Sequence, residues 1–232
     1  MLVKRAFIIC LLFTTVFNAT AQKNLDFGLY GGVSYYLGDL NNSKQFYQIH
    51  PAYGGLVRYT LGSRWALRAS LFGGGLSGDD LNSTFKYQRF RKYSFYTPVV
   101  ELTGQLELNF LPYKIGDKKH NYTPYVHIGG TFFIASYAIQ PYQPAIPFGL
   151  GFKFNLLPER VGMGFEWTFR KTFTDGIDKV VWFKQLPTTT TENSYLMNKQ
   201  TGYYHQRDWY SFFGLFITYQ IRQSGGDCNT YR

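Results

Sequence analysis

The segment VGMGFEWTFRKTF, residues 161–173, alternates between large apolar side chains and small, polar or charged ones. Its apolar positions are Val161, Met163, Phe165, Trp167 and Phe169. Successive side chains of a β-strand point to opposite faces, so the pattern predicts a strand between an apolar and a polar environment. Strands of soluble proteins are usually about 5–6 residues long, whereas a strand that crosses a membrane in a barrel needs about 9–11. The segment is long enough to cross a membrane.

The same alternation occurs in eight segments of the chain. An even number of antiparallel strands can close without an unpaired edge, so the sequence predicts an all-β fold, an eight-stranded antiparallel transmembrane β-barrel. A barrel of this size is so narrow that side chains fill its interior, which predicts a plugged lumen. The predicted strands are residues 25–38, 49–62, 65–77, 94–111, 123–137, 146–157, 160–173 and 209–222.

The composition agrees with a barrel and argues against membrane helices. Residues 22–232 contain no uninterrupted apolar segment of the length that a spanning helix needs, and the mean hydropathy is -0.22. Aromatic residues make up 20% of the chain, and such residues form girdles at the two membrane interfaces of barrels. We expect the barrel to occupy residues 22–223.

The beginning of the chain has the layout of a cleavable secretory signal. Lys4 and Arg5 precede an apolar run over residues 6–17, and the small residues ATA at 19–21 supply a cleavage site. The apolar run is too short for a membrane helix. The sequence therefore predicts export, with residues 1–21 as the signal peptide.

The predicted connections alternate in length, which suggests an orientation. Residues 62–64 join strands two and three, and residues 158–159 join strands six and seven, whereas the links after the odd-numbered strands are longer. Bacterial outer-membrane barrels have short periplasmic turns and long outer loops. We therefore expect an outer-membrane barrel with both termini in the periplasm, including the tail at 224–232. The link at 112–122 has an intermediate length and is an exception.

The polar faces of the predicted strands carry charges of both signs. Buried charges of one sign are very unfavourable, whereas interleaved acidic and basic side chains can pair and hydrogen-bond across a lumen. The sequence therefore predicts an ion-pair network inside the barrel. Its predicted members are Arg58, Arg68, Glu101, Glu107, Lys153, Glu166 and Arg170, with Gln105 and His127 on the same faces.

An enzymatic alternative uses residues of the same strands. His127, Ser136 and Glu101 could supply the base, the nucleophile and the acid of a barrel that modifies lipid A. Such catalysis requires the three side chains within hydrogen-bond reach near the membrane edge, and nothing in their spacing indicates this. A structural histidine in the lumen is the favoured interpretation, so no catalytic residue is assigned.

Five acidic residues follow the odd-numbered strands, whose ends share one rim in this topology. Carboxylates at one rim could hold a hard cation or pair with Arg170 and Lys171. Turn chemistry is the favoured explanation, because Gly-Asp and Asp-Gly are common in loops. Neither a metal nor a cofactor is predicted. The five residues are Asp39, Asp79, Asp80, Asp175 and Asp178.

The charge and the cysteines limit the possible partners. The formal charge of +10 falls to +8 when Lys4 and Arg5 leave with the signal. An exported chain rarely meets nucleic acid, so we expect no nucleic-acid partner and favour anionic outer-membrane lipid or lipopolysaccharide. Cys10 lies within the signal, which makes Cys228 the only cysteine of the mature chain and excludes an internal disulfide.

Five segments carry a resemblance to a known family. They are FGLYGGVSYYLGDL (27–40), HPAYGGLVRYTLGSRWALRASLFGG (50–74), IPFGLGFKFNL (146–156), FEWTFRKTFTDGID (165–178) and DWYSFFGLFITYQI (208–221). Together they resemble the PorG-like outer-membrane proteins of the Bacteroidetes type IX secretion system. The resemblance extends over nearly the whole mature chain, and FRKTFTD is its most specific part.

The resemblance implies a structural role without catalytic residues. The barrel would associate with a periplasmic ring of a PorK-like lipoprotein and a PorN-like protein, and would tie this ring to the outer membrane. The hypothesis for Cys228 is then an intermolecular disulfide with a ring component, the lipoprotein being favoured. Two other classes stay open: a lipid-A-modifying barrel enzyme, and a soluble lipocalin-like carrier with its apolar face inside.

Overall fold

The computed structural model describes residues 24–38, 40–41, 44–82, 93–157, 160–174, 176–178 and 207–222. In these residues the chain forms a closed barrel of eight antiparallel strands, with β1 paired to β8. The predicted barrel is therefore confirmed. A 3₁₀ turn, Asp80–Asn82, follows β3, and no helix of the described residues is long and apolar enough to cross a membrane. The strands are β1 (Asn24–Leu37), β2 (His50–Thr60), β3 (Trp65–Asp79), β4 (Ser94–Asn109), β5 (Tyr122–Ala135), β6 (Tyr142–Leu157), β7 (Val161–Thr172) and β8 (Trp209–Arg222).

The predicted strand boundaries differ most at β6, which begins at Tyr142 rather than at residue 146. Pro144 makes this stretch a poor strand in the sequence, because proline cannot donate to a strand ladder. In the structure, Tyr142 and Pro144 pair with β5, and pairing with β7 begins only at Ala145. Among the described strands, none pairs with the other side of this short stretch, and a strand side without a ladder partner tolerates proline.

The two faces of the barrel wall have opposite polarity. Large apolar side chains are exposed on the outside, where Leu29 is 75% and Ile128 58% exposed. Charged side chains lie inside, where Arg68 and Arg170 are fully buried. A lipocalin-like carrier would have its apolar face inside, so this arrangement excludes that alternative. An apolar exterior around a polar interior is the architecture of outer-membrane barrels.

Aromatic side chains fill much of the lumen. The ring centroids of Tyr30 and Phe72 are 4.6 Å apart, and those of Phe72 and Phe212 are 6.1 Å apart. Tyr210 lies 5.9 Å from Phe212 and 5.3 Å from Phe133. All five rings are buried. The interior of the described barrel is thus packed with side chains, as expected for eight strands.

The barrel has a terminal end, where β1 begins and β8 ends, and a loop end on the opposite side. The links at the terminal end are residues 61–64, 110–121 and 158–160. Link 110–121 is twice as long as link 136–141 at the loop end, so the lengths alternate less regularly than the sequence predicted. The other links at the loop end are residues 38–49, 80–93 and 173–208.

Candidate functional site

The seven charged residues predicted for the lumen are all buried inside the barrel. They reach the lumen because each occupies an inward position in the alternation of its strand. Their contacts form two groups. The Glu107 cluster comprises Arg58, Arg68, Glu107, Lys153 and Glu166, and the Glu101 cluster comprises Glu101, Arg170 and Tyr210.

Glu107, on β4, is a carboxylate shared by three cations. Lys153 Nζ donates a hydrogen bond to Glu107 Oε2 at 2.6 Å. Arg58 Nε lies 2.9 Å from the same oxygen, an ion-pair contact without hydrogen-bond geometry, and Arg68 Nη1 lies 3.3 Å from Oε1. The three cations come from β6, β2 and β3. These contacts therefore join four strands across the lumen.

Arg68 connects this group to a second carboxylate, Glu166 on β7. Arg68 Nη1 donates to Glu166 Oε2 at 2.5 Å, and the guanidinium also donates to Gln105 Oε1. The hydroxyl of Tyr125 donates to Glu166 Oε2 at 2.8 Å. A Cβ at Gly151 would come within 2.6 Å of the Tyr125 ring. Glycine at this position therefore makes room for the tyrosine.

The Glu101 cluster is built around one arginine. Arg170 donates to Glu101 through Nη2 to Oε1 at 2.7 Å and through Nε to Oε2 at 3.2 Å. The hydroxyl of Tyr210 donates to Oε2 at 2.8 Å. The guanidinium also lies 4.2 Å from the centroid of the Phe212 ring and donates to the carbonyl of Thr168 at 3.1 Å. The two-pronged pairing fixes the orientation of both charged side chains.

The charges of these clusters balance when Asp26 is included. Asp26 Oδ2 lies 4.0 Å from Arg58 Nη1, which completes four carboxylates and four cations. A buried network of this kind depends on every partner, because the removal of one leaves an uncompensated charge in the interior. Its contacts connect strands on opposite sides of the lumen. The arrangement can therefore fix the barrel in one rigid, closed state.

Sequence comparison gives a match over nearly the full length of the chain. Residues 4–230 match the family described as a domain of unknown function, DUF6089. The chain belongs to the DUF6089 family. No curated protein matches the sequence of this DUF6089 member.

The DUF6089 barrel is similar to two solved structures of low sequence identity. One is Ail, the attachment invasion locus protein of Yersinia pestis, in complex with the heparin analogue sucrose octasulfate. It is 9% identical, with 87% of this chain and 100% of Ail covered and a TM-score of 0.47. The other is the outer membrane protein OprG from Pseudomonas aeruginosa, 12% identical, with 88% of this chain and 99% of OprG covered and a TM-score of 0.43.

Among the polar residues of the DUF6089 lumen that sequence reasoning missed are Asp26, Tyr125 and Tyr210, which contact the charged residues of the two clusters. Asp26 occupies an inward position opposite Arg58, and the alternation of β1 could have identified it. The two tyrosines donate to Glu166 and to a glutamate of β4. Tyrosine has an apolar body and a polar tip and occurs on both faces of a barrel, so the pattern did not mark them.

His127, Ser136 and Glu101 do not form a catalytic arrangement in this DUF6089 protein. His127 Nε2 lies 3.4 Å from Thr168 Oγ1, and Glu101 is bound by Arg170. Ser136 lies in the β5–β6 link. It is nine residues beyond His127, and a strand rise of about 3.3 Å per residue separates the two by about 30 Å. These positions support a structural interpretation of His127.

The described acidic residues of the loop end bind donors of the protein itself. Asp79 accepts a hydrogen bond from the N–H of Leu81 at 2.9 Å, and Asp80 accepts one from the N–H of Tyr93 at 3.1 Å. Asp178 accepts one from a buried tyrosine hydroxyl at 2.9 Å. Within the described residues, no group of three or more His, Cys, Asp or Glu side chains is positioned to hold a metal ion. Asp39 and Asp175 lie outside the described residues.

Three further predictions for the DUF6089 chain also fall outside the described residues. They concern the signal peptide at 1–21, the tail at 224–232 and the disulfide of Cys228. All three stay predictions.

Proposed function

We propose that this DUF6089 protein is a structural outer-membrane component of a type IX secretion system. It anchors a periplasmic ring of PorK-like and PorN-like proteins to the membrane. The observation that carries a structural role is the plugged lumen, in which the two charge clusters and the buried aromatic rings occupy much of the described interior. A barrel filled in this way does not conduct, and its apolar wall holds it in lipid. Its two ends are then the surfaces that partners can contact.

The proposed orientation places the terminal end in the periplasm and the loop end outside the cell. Links 61–64 and 158–160 at the terminal end are short, while link 173–208 at the loop end is much longer. This asymmetry is the usual one for bacterial outer-membrane barrels. Both ends of the barrel sequence are then on the side where a periplasmic ring would lie.

The secretion role is supported by the resemblance to PorG-like proteins, whose most specific part is FRKTFTD, residues 169–175. This segment begins in β7, and its Arg170 pairs with Glu101 in the Glu101 cluster. The most specific part of the resemblance therefore also builds the plug. This agrees with a role in which a rigid, closed barrel serves as an anchor.

The decisive experiment is deletion combined with recovery of the ring. Loss of the protein is expected to impair export of type IX cargo. A tagged copy, solubilised from outer membranes in detergent, is expected to recover the PorK-like lipoprotein and the PorN-like protein, and an unrelated tagged barrel is not. Normal cargo export in the deletion strain, with no ring protein recovered, would overturn the proposal.

The enzymatic alternative is tested separately through lipid A. His127→Ala, Ser136→Ala and Glu101→Gln, each introduced alone, are expected to leave the acylation pattern of lipid A unchanged by mass spectrometry. An altered pattern in any variant that keeps the normal amount of barrel would favour the enzyme.

The proposal includes a covalent contact through Cys228. In the oxidising periplasm, its thiol and a thiol of the ring lipoprotein would lose two protons and two electrons to a thiol oxidase and form a disulfide. Cells lysed with a thiol-blocking agent are expected to show a larger adduct on a non-reducing gel. The adduct should disappear on reduction and in Cys228→Ser. A wild-type protein that migrates only as a monomer would remove this contact from the proposal.

A further inference from the structure

The terminal end of the barrel is covered by a lid, which is the β4–β5 link at residues 110–121. Tyr113 and Ile115 of the lid are buried, and this burial raises the pKa of Tyr113. The backbone N–H of Tyr113 donates to the carbonyl of Ser63 at 3.0 Å. Asn155 Nδ2 donates to the carbonyl of Lys114 at 3.1 Å. The lid is therefore attached to the β2–β3 link and to β6.

The outer side of the lid is basic. Lys114, Lys118 and Lys119 are exposed, and Arg64 in the adjoining β2–β3 link is exposed as well. Among the residues that the structure describes, none of these four cations has a carboxylate partner. We call these four residues the basic collar. All four side chains are exposed to solvent.

The acidic residue of the lid does not neutralise the basic collar. Asp117 Oδ2 lies 3.0 Å from His120 Nδ1, and Asp117 Oδ1 accepts a hydrogen bond from the backbone N–H of Lys119 at 2.8 Å. These hydrogen bonds lower the pKa of Asp117, with that from His120 contributing most. The carboxylate is thus bound within the lid itself, and the lysine ammonium groups are left without it.

The interior behind the lid does not carry the excess charge either. A cavity of about 430 Å³ lies there, and its charged lining comprises Asp26, Arg58 and Lys153 of the barrel together with Lys114 and Asp117 of the lid. Lys153 is paired with Glu107, as described for the Glu107 cluster. Positive and negative groups are therefore both present in the cavity wall. Among the described residues of this end, the excess positive charge therefore belongs to the exposed basic collar.

Three exposed cations in the described part of the loop end have different surroundings. Lys171 Nζ lies 5.4 Å from the centroid of the Trp209 ring, and the guanidinium of Arg207 lies 5.8 Å from that of Phe173. Lys44 Nζ lies 5.7 Å from the centroid of the neighbouring tyrosine ring. Cations over aromatic rings are already partly satisfied by the protein. The cations of the collar are therefore more open than these three described cations of the loop end.

We propose that the basic collar is a docking surface for an acidic segment of a periplasmic protein. The inference rests on the proposed function, because the proposed orientation places this end in the periplasm. Complementary charge accelerates association and favours one partner over others, and it acts over about 8 Å at physiological salt. The lid holds three of the four cations on one fixed link, so an acidic segment meets them together.

The test uses the full-length protein in nanodiscs of uncharged lipid and a fluorescent peptide of alternating Glu and Ser. The triple variant Lys114→Gln, Lys118→Gln, Lys119→Gln is expected to bind the peptide about tenfold more weakly than the wild type, and raised salt should abolish the difference. The matched control is Lys44→Gln, Lys171→Gln, Arg207→Gln, which removes the same charge at the loop end and should bind normally. Heat-modifiable migration on gels verifies that both variants are folded.

Each outcome decides a separate question. Equal peptide binding by the two triple variants, or wild-type binding by the lid variant, would overturn the docking surface. A second binding partner, empty nanodiscs that contain phosphatidylglycerol, tests for lipid binding. If the lid variant binds these nanodiscs more weakly than the wild type but binds the peptide normally, the docking surface is also overturned, because the collar then binds lipid headgroups. Purified PorK-like lipoprotein separates this inference from the proposed function. If it binds the wild type and the lid variant equally, the ring association stands and the collar fails. If it does not bind the wild type while the peptide does, the collar stands and the ring partner is wrong.

Discussion

The Glu107 cluster and the Glu101 cluster hold buried charge in different ways. Glu107 is contacted by three cations, and one of them, Arg68, is shared with Glu166. In the Glu101 cluster, one guanidinium faces one carboxylate, and the other contacts are made by neutral groups, among them a tyrosine hydroxyl and a phenylalanine ring. Both clusters are buried in the lumen. A difference in how much they stabilise the fold would therefore come from the number of cations that share a carboxylate, and not from burial.

The sharing makes the two clusters unequal in their sensitivity to substitution. Loss of the charge on Glu107 leaves three buried cations with one carboxylate fewer. Loss of the charge on Glu101 affects one cation, Arg170, which keeps the carbonyl of Thr168 and the face of Phe212. Networks of buried polar groups respond more strongly than isolated pairs, because each member depends on the others. The fold should therefore depend most on Glu107.

The largest effect is expected for Glu107→Gln. Glutamine preserves the shape of the side chain and removes its charge, so Arg58, Arg68 and Lys153 lose their common partner. Breaking a buried pair in this way destabilises a protein by about 3–5 kcal/mol. Urea unfolding in detergent micelles measures the change, with the exposed Lys119→Gln as the control. A smaller loss than that of Glu101→Gln would contradict the comparison.

Phe165→Arg tests whether the lumen clusters act on stability separately from insertion. Phe165 is 42% exposed on the outer wall, whereas the neighbouring Glu166 is fully buried in the lumen. An arginine at the lipid face of a barrel costs about 2–4 kcal/mol at the membrane midplane, so Phe165→Arg should block assembly. Glu166→Gln should insert and then unfold more readily. Membrane fractionation measures insertion of the two variants, and urea unfolding measures their stability. Normal insertion of Phe165→Arg together with failed insertion of Glu166→Gln would show that Phe165 faces the lumen and Glu166 faces the lipid.

Trp167 is a less suitable position for this test, although the sequence predicts it on the same face as Phe165. Its ring stacks on Phe46 at 5.6 Å between centroids, and its Nε1 donates to the hydroxyl of Tyr35 at 2.8 Å. The β1–β2 link therefore covers part of this side chain. An arginine at this position would remove the contacts with Phe46 and Tyr35 and would also place a charge at the lipid face. A failure to assemble could then come from either change.

Glu101→Gln should have the next smaller effect. Glutamine is neutral, so Arg170 loses the charge of its partner. The amide oxygen of glutamine can still accept a hydrogen bond from Arg170 or from Tyr210. Hydrogen bonds to charged groups contribute about 1.5–3 kcal/mol, and we expect a loss of unfolding free energy in that range. The same urea titration measures it. A loss equal to that of Glu107→Gln would show that sharing adds nothing.

The barrel and the inward residues could be predicted because both follow from one local property. Alternation decides which face a side chain occupies, so Arg68 and Glu166 were placed in the lumen without knowledge of the fold. Their pairing could not be predicted, since it depends on which strands lie opposite each other in the closed barrel. Arg68 and Glu166 are far apart in the sequence and on strands that do not pair, yet they are in contact.

The lid shows a second limit of the alternation. The sequence predicts only a link of intermediate length at residues 112–122, as an exception to the alternation of link lengths. Tyr113 and Ile115 enter the barrel because the carbonyl of Ser63 and the side chain of Asn155 hold the link in place. These contacts come from two other parts of the chain, and a local pattern carries no information about them. The sequence also does not show that the lysines of the lid are exposed together at the terminal end, because this depends on the closed barrel.

The smallest losses of unfolding free energy are expected when the two tyrosine hydroxyls are removed. Here the Glu101 cluster should be the more sensitive of the two, which is the reverse of the order expected for the glutamate substitutions. Tyr125→Phe and Tyr210→Phe each remove one hydrogen bond of 2.8 Å to a buried carboxylate oxygen. In the Glu107 cluster, Oε2 of Glu166 keeps the closer contact with Arg68 at 2.5 Å. In the Glu101 cluster, the corresponding oxygen keeps only the Arg170 Nε contact at 3.2 Å.

A single hydrogen bond contributes about 0.5–1.5 kcal/mol to stability, so Tyr210→Phe should fall near the upper limit and Tyr125→Phe near the lower one. Shared partners would then protect the Glu107 cluster from the loss of a neutral donor, while they make it vulnerable to the loss of its central charge. Paired urea titrations of the two variants provide the measurement. An equal loss, or a larger loss for Tyr125→Phe, would mean that the number of remaining partners does not set the sensitivity of a buried carboxylate in this lumen.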